Sequence, residues 1–462
     1  MPFAALRSVL GRPVDRLRRP VTLLAAATAV LVAAACSPGA TEPTDSTQPA
    51  DQSTGSGPAA APASIDPSAF KGQKLTYVYF TDGPDEQATR SAIGEFQTTT
   101  GATIDLQIVP FADLEKSMQA RLSGGDAPDV ARVADWHPYV DQLIQLDDVL
   151  GASFAGEFID GTAAGAKNPA GKLVAVPSDL TMNGPLVNVD AFKKAGVPLP
   201  TADKKWTWDS LIADAKKVQA ANKMQSAIAI DKSGHRISTI LSQYGTSMIN
   251  AKGEEALDQP KAEKALTMLS GLLKDGTIDK DFWLESGSKY KGANDMFLAG
   301  AVPVYISGNW QVAQFAKTAK FAWAAVPNPC APVCGGFPGG KYMVGFKSSK
   351  NPQLAAYFLQ FMNSKEQQAK IDPVAGWLPT RKDLVSSGVE YPNRAADLKV
   401  FLADVAETPQ DDYLTVASPV FGASATALVD QISALAAGQQ DPATAVTNVK
   451  KEVAKLVQDA AK

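Results

Sequence analysis

The sequence predicts an α/β protein of two lobes, and three observations carry that expectation. Its 462 residues exceed what one hydrophobic core normally supports. Residues 74–133 alternate strand, helix, strand, helix, strand, the pattern of a parallel sheet with right-handed crossovers. The stretch 296–315, MFLAGAVPVYISGNWQVAQF, is an apolar run that stops at a turn and resumes as a helix. Ala301 to Ile306 read as a short buried strand. Gly308 permits a sharp turn, and Asn309 is a favoured helix N-cap. Trp310 therefore stands where a strand ends and a helix starts, the edge of an α/β sheet at which ligands bind. An indole there either packs beneath the turn or offers its face to a ligand.

Before the lobes comes a targeting segment. Arg7, Arg12, Arg16, Arg18 and Arg19 form a basic start, and 21–35 is an alanine-rich apolar run too short to span a membrane comfortably. Small residues before Cys36 resemble a bacterial lipoprotein signal, in which the cysteine is lipidated. Ala33 departs from the leucine that pattern prefers, and the alternative is cleavage at an A-x-A site. Arg18-Arg19 leaves Sec or twin-arginine export open. Residues 37–68 are almost free of apolar side chains and read as a flexible tether. The expected layout is a signal peptide at 1–35, the lipidated cysteine and tether at 36–70, a first lobe from 71–180 and 327–370, and a second lobe from 181–326 and 371–462.

The elements follow in order. KLTYVYF (74–80) is a strand, 86–100 a helix closed by Gly101, TIDLQIV (103–109) a second strand, 111–122 a helix and 129–133 a third strand. The strand ends bring Phe80, Asp82, Asp135 and Trp136 to one edge. Residues 171–177 and 185–190 are two extended pieces joined by a polar segment, as a chain crossing between lobes would be. A short helix at 191–196 ends on a glycine, and Thr207 caps a helix that runs through Ala220. Trp206 and Trp208 brace its start. Further strands are expected at 228–230, 321–326 and 342–346, and helices at 237–244, 261–274, 351–361 and 442–456. After residue 36 no apolar run is long enough to span a membrane.

Composition narrows the chemistry. A net charge of -4 argues against nucleic acid as a partner. Two histidines and three cysteines leave little for a zinc site, so no metal or cofactor is expected. Cys330 and Cys334 lie four apart in a proline- and glycine-rich loop, a small disulfide outside the cell; a metal pair or redox pair is the alternative. No phosphate loop, H-E-x-x-H or G-x-S-x-G elbow is present. Aromatic and polar residues at loop tips are instead the equipment of a binding cleft.

Seven stretches together resemble the extracytoplasmic solute-binding proteins of bacterial ABC importers, specifically the sugar-binding family that includes the maltose-binding protein. They are LSGGDAPDV (122–130), GKLVAVP (171–177), LVNVDAFKKAG (186–196), WTWDSL (206–211), FLAGAVPVYISGNW (297–310), SKNP (349–352) and GWLPTR (376–381). They occur in the family's order. The cysteine loop is not general to the family, and Ser178-Asp179-Leu180-Thr181 is less aromatic than in many members. The resemblance implies a two-lobe periplasmic-binding-protein fold of the type II-like class, which closes on ligand about hinge strands. It implies ligand contacts from Asp82, Asp135, Trp136, Asp179, Trp310 and Trp377, with Tyr342, Arg236 and His235 as further contacts. It also implies a monomer that takes a mono-, di- or oligosaccharide, catalyses nothing, and hands its cargo to ABC transporter permease subunits from the outer face of the membrane. An exported glycan-active hydrolase and a surface sugar-sensing lipoprotein remain the alternatives.

Overall fold

The computed structural model describes residues 65–81 and 84–461. The expected signal peptide, Cys36, the expected tether up to residue 64 and Asp82 lie outside the described residues. The strands are β1 (Lys74–Tyr79), β2 (Thr103–Ile108), β3 (Val130–Val133), β4 (Val176–Asn188), β5 (Ile228–Ile230), β6 (Val304–Gly308), β7 (Trp323–Ala325) and β8 (Pro338–Gly345). They form one sheet in the order β2-β1-β3-β8-β4-β6-β5, with β7 also paired to β4.

The first lobe starts as the alternation predicts. β1 pairs in parallel with β2 and β3. The helix Glu86–Thr100 between them ends on Gly101 at φ 67, a left-handed position that glycine occupies without steric cost.

β4 ties the two halves together, and it differs from the expected pair of extended pieces. It is one strand of 13 residues, nearly all buried, with a register shift between Pro177 and Asp179. That irregularity absorbs the polar Ser178 without ending the strand. β4 pairs with β8 as far as Met182 and with β6 from Asn183.

The buried side chains fall into two cores. One runs from Phe70 to Val176 and from Met343 to Trp377, the other from Leu180 to Phe337 and from Leu378 to Val453. The chain thus passes between cores three times: along β4, along β8 and at Trp377-Leu378. At this third crossing Leu378 N donates to Leu180 O and Leu180 N to Leu378 O, so two of the passages are stitched side by side.

Two local expectations need correction. Ala301 to Pro303 precede the strand, which begins at Val304, because Pro303 has no N–H to give a ladder. Asn309 precedes the helix Trp310–Thr318 but makes no side-chain cap. Its Oδ1 accepts from Met182 N at 2.8 Å and its Nδ2 donates to Gly376 O at 2.9 Å. The side chain locks the turn onto two of the crossings instead. Thr207 does cap its helix, in a reciprocal arrangement with Ser210. Trp206 and Trp208 are buried at that start, where their Nε1 atoms donate to Asp214 and Gln243. Cys330 and Cys334 are joined by a disulfide.

Candidate ligand-binding cleft

A cavity of about 460 Å³ opens where the strands cross, and its walls come from both cores. β4 supplies its floor with Pro177, Asp179, Leu180, Thr181 and Asn183, and β8 adds Pro338 to Tyr342. The two strands lie very close: a Cβ on Gly340 would come within 2.4 Å of Asp179 O. Glycine at that position is what lets the floor form.

The first-lobe wall carries Phe80, Phe111 and Asp135. Asp135 is half exposed, with its Oδ1 2.7 Å from His137 Nδ1. Trp136 is turned away and buried. Its Nε1 donates to Gly165 O at 3.1 Å and its ring stacks on His137 at 3.8 Å. Trp136 therefore backs the wall while its neighbours face the cavity.

Asp179 is buried although it reaches the floor, and it accepts from Arg132 Nη2 at 2.7 Å. Arg132 also donates to Phe80 O at 3.1 Å. Its guanidinium lies 4.4 Å from the ring centre of Phe80 and 4.3 Å from that of Trp377. Trp377 thus sits under the first-lobe wall, in the core, not in the cavity lining. Asp372 lies in the same buried cluster. Burial, reinforced by the charge of Asp179, pushes its carboxyl well above the usual carboxylate range.

The second-lobe wall is built around Asp231, which accepts from Tyr305 Oη at 2.6 Å, Ser307 Oγ at 2.7 Å and Arg236 Nε at 3.2 Å. Arg236 Nη1 donates to Asn183 Oδ1 at 2.7 Å. The Arg236 guanidinium lies over the Trp310 ring, 4.2 Å from its centre. Trp310 also rests against Gly308, where a Cβ would come within 2.0 Å of the indole.

His235 packs edge-on against Phe421 at 4.8 Å. Burial first, then the nearby charges of Arg236 and Lys341, lower its imidazole to about 3, so it stays neutral. Burial likewise raises the Tyr342 phenol, which lines the floor un-ionised.

The structure thus brings Asp135, Asp179, His235, Arg236, Trp310 and Tyr342 to one cavity and leaves Trp136 and Trp377 behind its first-lobe wall. Sequence reasoning missed Phe111, Lys341, Tyr413 and Phe421. Phe111 follows Pro110 at a helix start, where an apolar residue reads as core. Tyr413 and Phe421 come from the C-terminal helices, whose amphipathic pattern does not reveal what they cover.

The family model for bacterial extracellular solute-binding proteins matches residues 91–396. A protein of Brucella abortus described as a binding protein is 26% identical over 66% of this chain and 74% of its own length. The sn-glycerol-3-phosphate-binding periplasmic protein of Rhizobium meliloti is 21% identical over 63% of this chain and 69% of its own. Among solved structures, the cyclic alpha-maltosyl-1,6-maltose binding protein of Arthrobacter globiformis superposes with a TM-score of 0.69 at 19% identity, covering 84% of this chain and 99% of that one. The GacH receptor of Streptomyces glaucescens, solved unliganded and with acarbose, gives the same four figures, 0.69, 19%, 84% and 99%. These likenesses show the two-lobe binding-protein fold.

Proposed function

The chain belongs to the bacterial extracellular solute-binding proteins, and from that premise we propose that it captures a carbohydrate in the cleft between its lobes. The observation that carries this reading is the lining. Aromatic rings from both lobes suit the C–H faces of a sugar. Asp135 can accept from hydroxyls, and Arg236 and Lys341 can donate to them. Asp179 is paired with Arg132 and Arg236 with Asp231, and Asp135 balances Lys341 in formal charge, which favours a neutral polyhydroxyl ligand over a phosphate ester such as the one named for the Rhizobium relative. The Arthrobacter neighbour, named for a cyclic maltosyl-maltose, and the Streptomyces receptor, solved with acarbose, point the same way.

No covalent step is required. In the open form each wall is solvated separately. A ligand that touches both walls binds the closed form better and shifts the population toward it by that difference in affinity. The closed surface is what a permease of an ABC importer would read. Lipidation of Cys36 would hold the protein at the outer face of the membrane, with 37–68 as the tether. Cys36→Ser would then release the protein into the medium, while a protein cleaved by ordinary signal peptidase would partition identically with or without that change.

A thermal-shift panel of mono-, di- and oligosaccharides, polyols and sugar phosphates tests the ligand class. A ligand that binds only the folded state raises the melting temperature. A rise confined to neutral carbohydrates is the expected outcome; a rise with sugar phosphates alone would overturn the reading.

A further inference from the structure

Trp310 is the aromatic that the turn geometry singles out, and it is only half-buried, but a face of its ring is already taken. The Arg236 guanidinium lies over it at 4.2 Å, held there by Asp231 and Asn183, and Gly308 supports the indole so closely that no side chain would fit between them. A sugar could stack on that face of Trp310 only by displacing an arginine that has two other partners.

Phe111 is in the opposite situation. It lines the same cavity, and at 55% exposure it is the most exposed of the large hydrophobic side chains among the described residues. An exposed phenyl ring at a cavity wall carries an uncompensated solvation cost that a ligand can remove. The ring is also held from behind. Its centre is 4.9 Å from that of Phe80, Phe80 lies 4.4 Å from the Arg132 guanidinium, and Arg132 lies 4.3 Å from Trp377. Arg132, Phe80 and Trp377 are buried. The result is a column of ring, ring, guanidinium and indole that runs from the first core to the cleft and ends in one open aromatic face. Lys341 Nζ is 5.9 Å from the Phe111 centre, at the far limit of a cation–π contact, so it leaves the ring available and stands where it can donate to a hydroxyl of a stacked sugar.

We propose that Phe111, not Trp310, is the stacking platform for the ligand's carbohydrate ring, and that the buried column Phe80–Arg132–Trp377 positions it. Arg236, lying on Trp310, then acts as the second lobe's hydrogen-bond donor. This deepens the carbohydrate reading above and rests on it.

The test is calorimetric titration of the best-binding carbohydrate into the full chain and its Phe111→Ala, Phe111→Trp and Trp310→Ala variants. Phe111→Ala should weaken binding at least tenfold with an unchanged melting temperature of the free protein, since the side chain is mostly in water. Phe111→Trp should stay within threefold of the parent, because it restores a flat ring. Trp310→Ala should cost less affinity than Phe111→Ala. Parent binding with Phe111→Ala within twofold of it would overturn this inference alone, as would a larger loss from Trp310→Ala in a folded variant. If the parent binds no carbohydrate at all, the functional reading fails and this inference with it.

Discussion

Arg132 in the first lobe and Arg236 in the second each pair with an aspartate beside the cleft, yet the two pairs are built for different work. The Arg132 and Asp179 side chains are 1% and 0% exposed, while those of Arg236 and Asp231 are 14% and 21% exposed. Arg132 is held dry between Phe80 and Trp377, so its charge can shape the wall but cannot touch a ligand. Arg236 is held at the cavity surface by hydrogen bonds to Asp231 and Asn183, so part of its guanidinium faces the cleft. One lobe hides its cation and exposes a ring; the other lays its cation over its indole at the cavity surface.

Replacing each arginine in turn presses hardest on that contrast. Arg132→Met leaves Asp179 buried without its partner and should cost about 3–5 kcal/mol of stability, read as a large fall in denaturant midpoint. Arg236→Met breaks a less deeply buried pair and takes a donor from Asn183, so it should cost less than Arg132→Met, about 1–3 kcal/mol in the free protein, with a loss of ligand affinity beside it. Equal losses of stability would erase the distinction between the two walls.

A second contrast lies in protons. In the second lobe, burial pushes Asp404 and Asp412 up to about 7. Asp404 still accepts from Asn328 Nδ2 at 2.8 Å and Asp412 from Ser242 Oγ at 2.5 Å. An unfolded aspartate titrates near 3.9, so the folded state binds these protons more tightly. The stability they contribute is full below about pH 4 and is lost as pH rises through about 7. Melting curves should show a decline on the order of a few kcal/mol across that window. The double variant Asp404→Asn and Asp412→Asn should flatten the decline, since the amide keeps an acceptor oxygen and cannot ionise. Asp372 in the first lobe shifts in the same direction, so a residual slope surviving in the double variant should disappear on adding Asp372→Asn.

The smallest effect belongs to a feature remote from the cleft. Thr207 Oγ1 accepts from Ser210 N at 3.2 Å in the cap of its helix, and Thr207→Ala should cost about 1 kcal/mol without changing ligand affinity. A change in affinity would mean that the second lobe transmits strain from that helix to its wall.

These contrasts also mark what could be read from the chain alone. Local signals sufficed for the β-α-β run of the first lobe, the Gly101 and Thr207 helix ends and the proximity of Cys330 to Cys334, because each depends on neighbours within a few residues. The strand-to-helix turn put Trp310 at the cavity for the same reason. What failed depends on distant partners. Asn309 has the identity of a cap but is drawn to Met182 and Gly376, 127 and 67 positions away in the chain. Trp377 follows a glycine turn just as Trp310 does, yet it faces Arg132 from beneath. Phe111 looks like any apolar helix residue, and its exposure is set by where Phe80 and β8 come to lie. The side on which a ring finally faces is a property of the packed lobes, not of the local pattern.

The central claim is that the cleft holds a carbohydrate reversibly and leaves it unchanged. Calorimetric titration of the parent chain with the best carbohydrate of the panel, followed by chromatography of the recovered ligand, tests it most directly. The account predicts saturable one-to-one binding and full recovery of intact sugar. Absence of binding across all carbohydrates, or a sugar that is consumed during the titration, would contradict it.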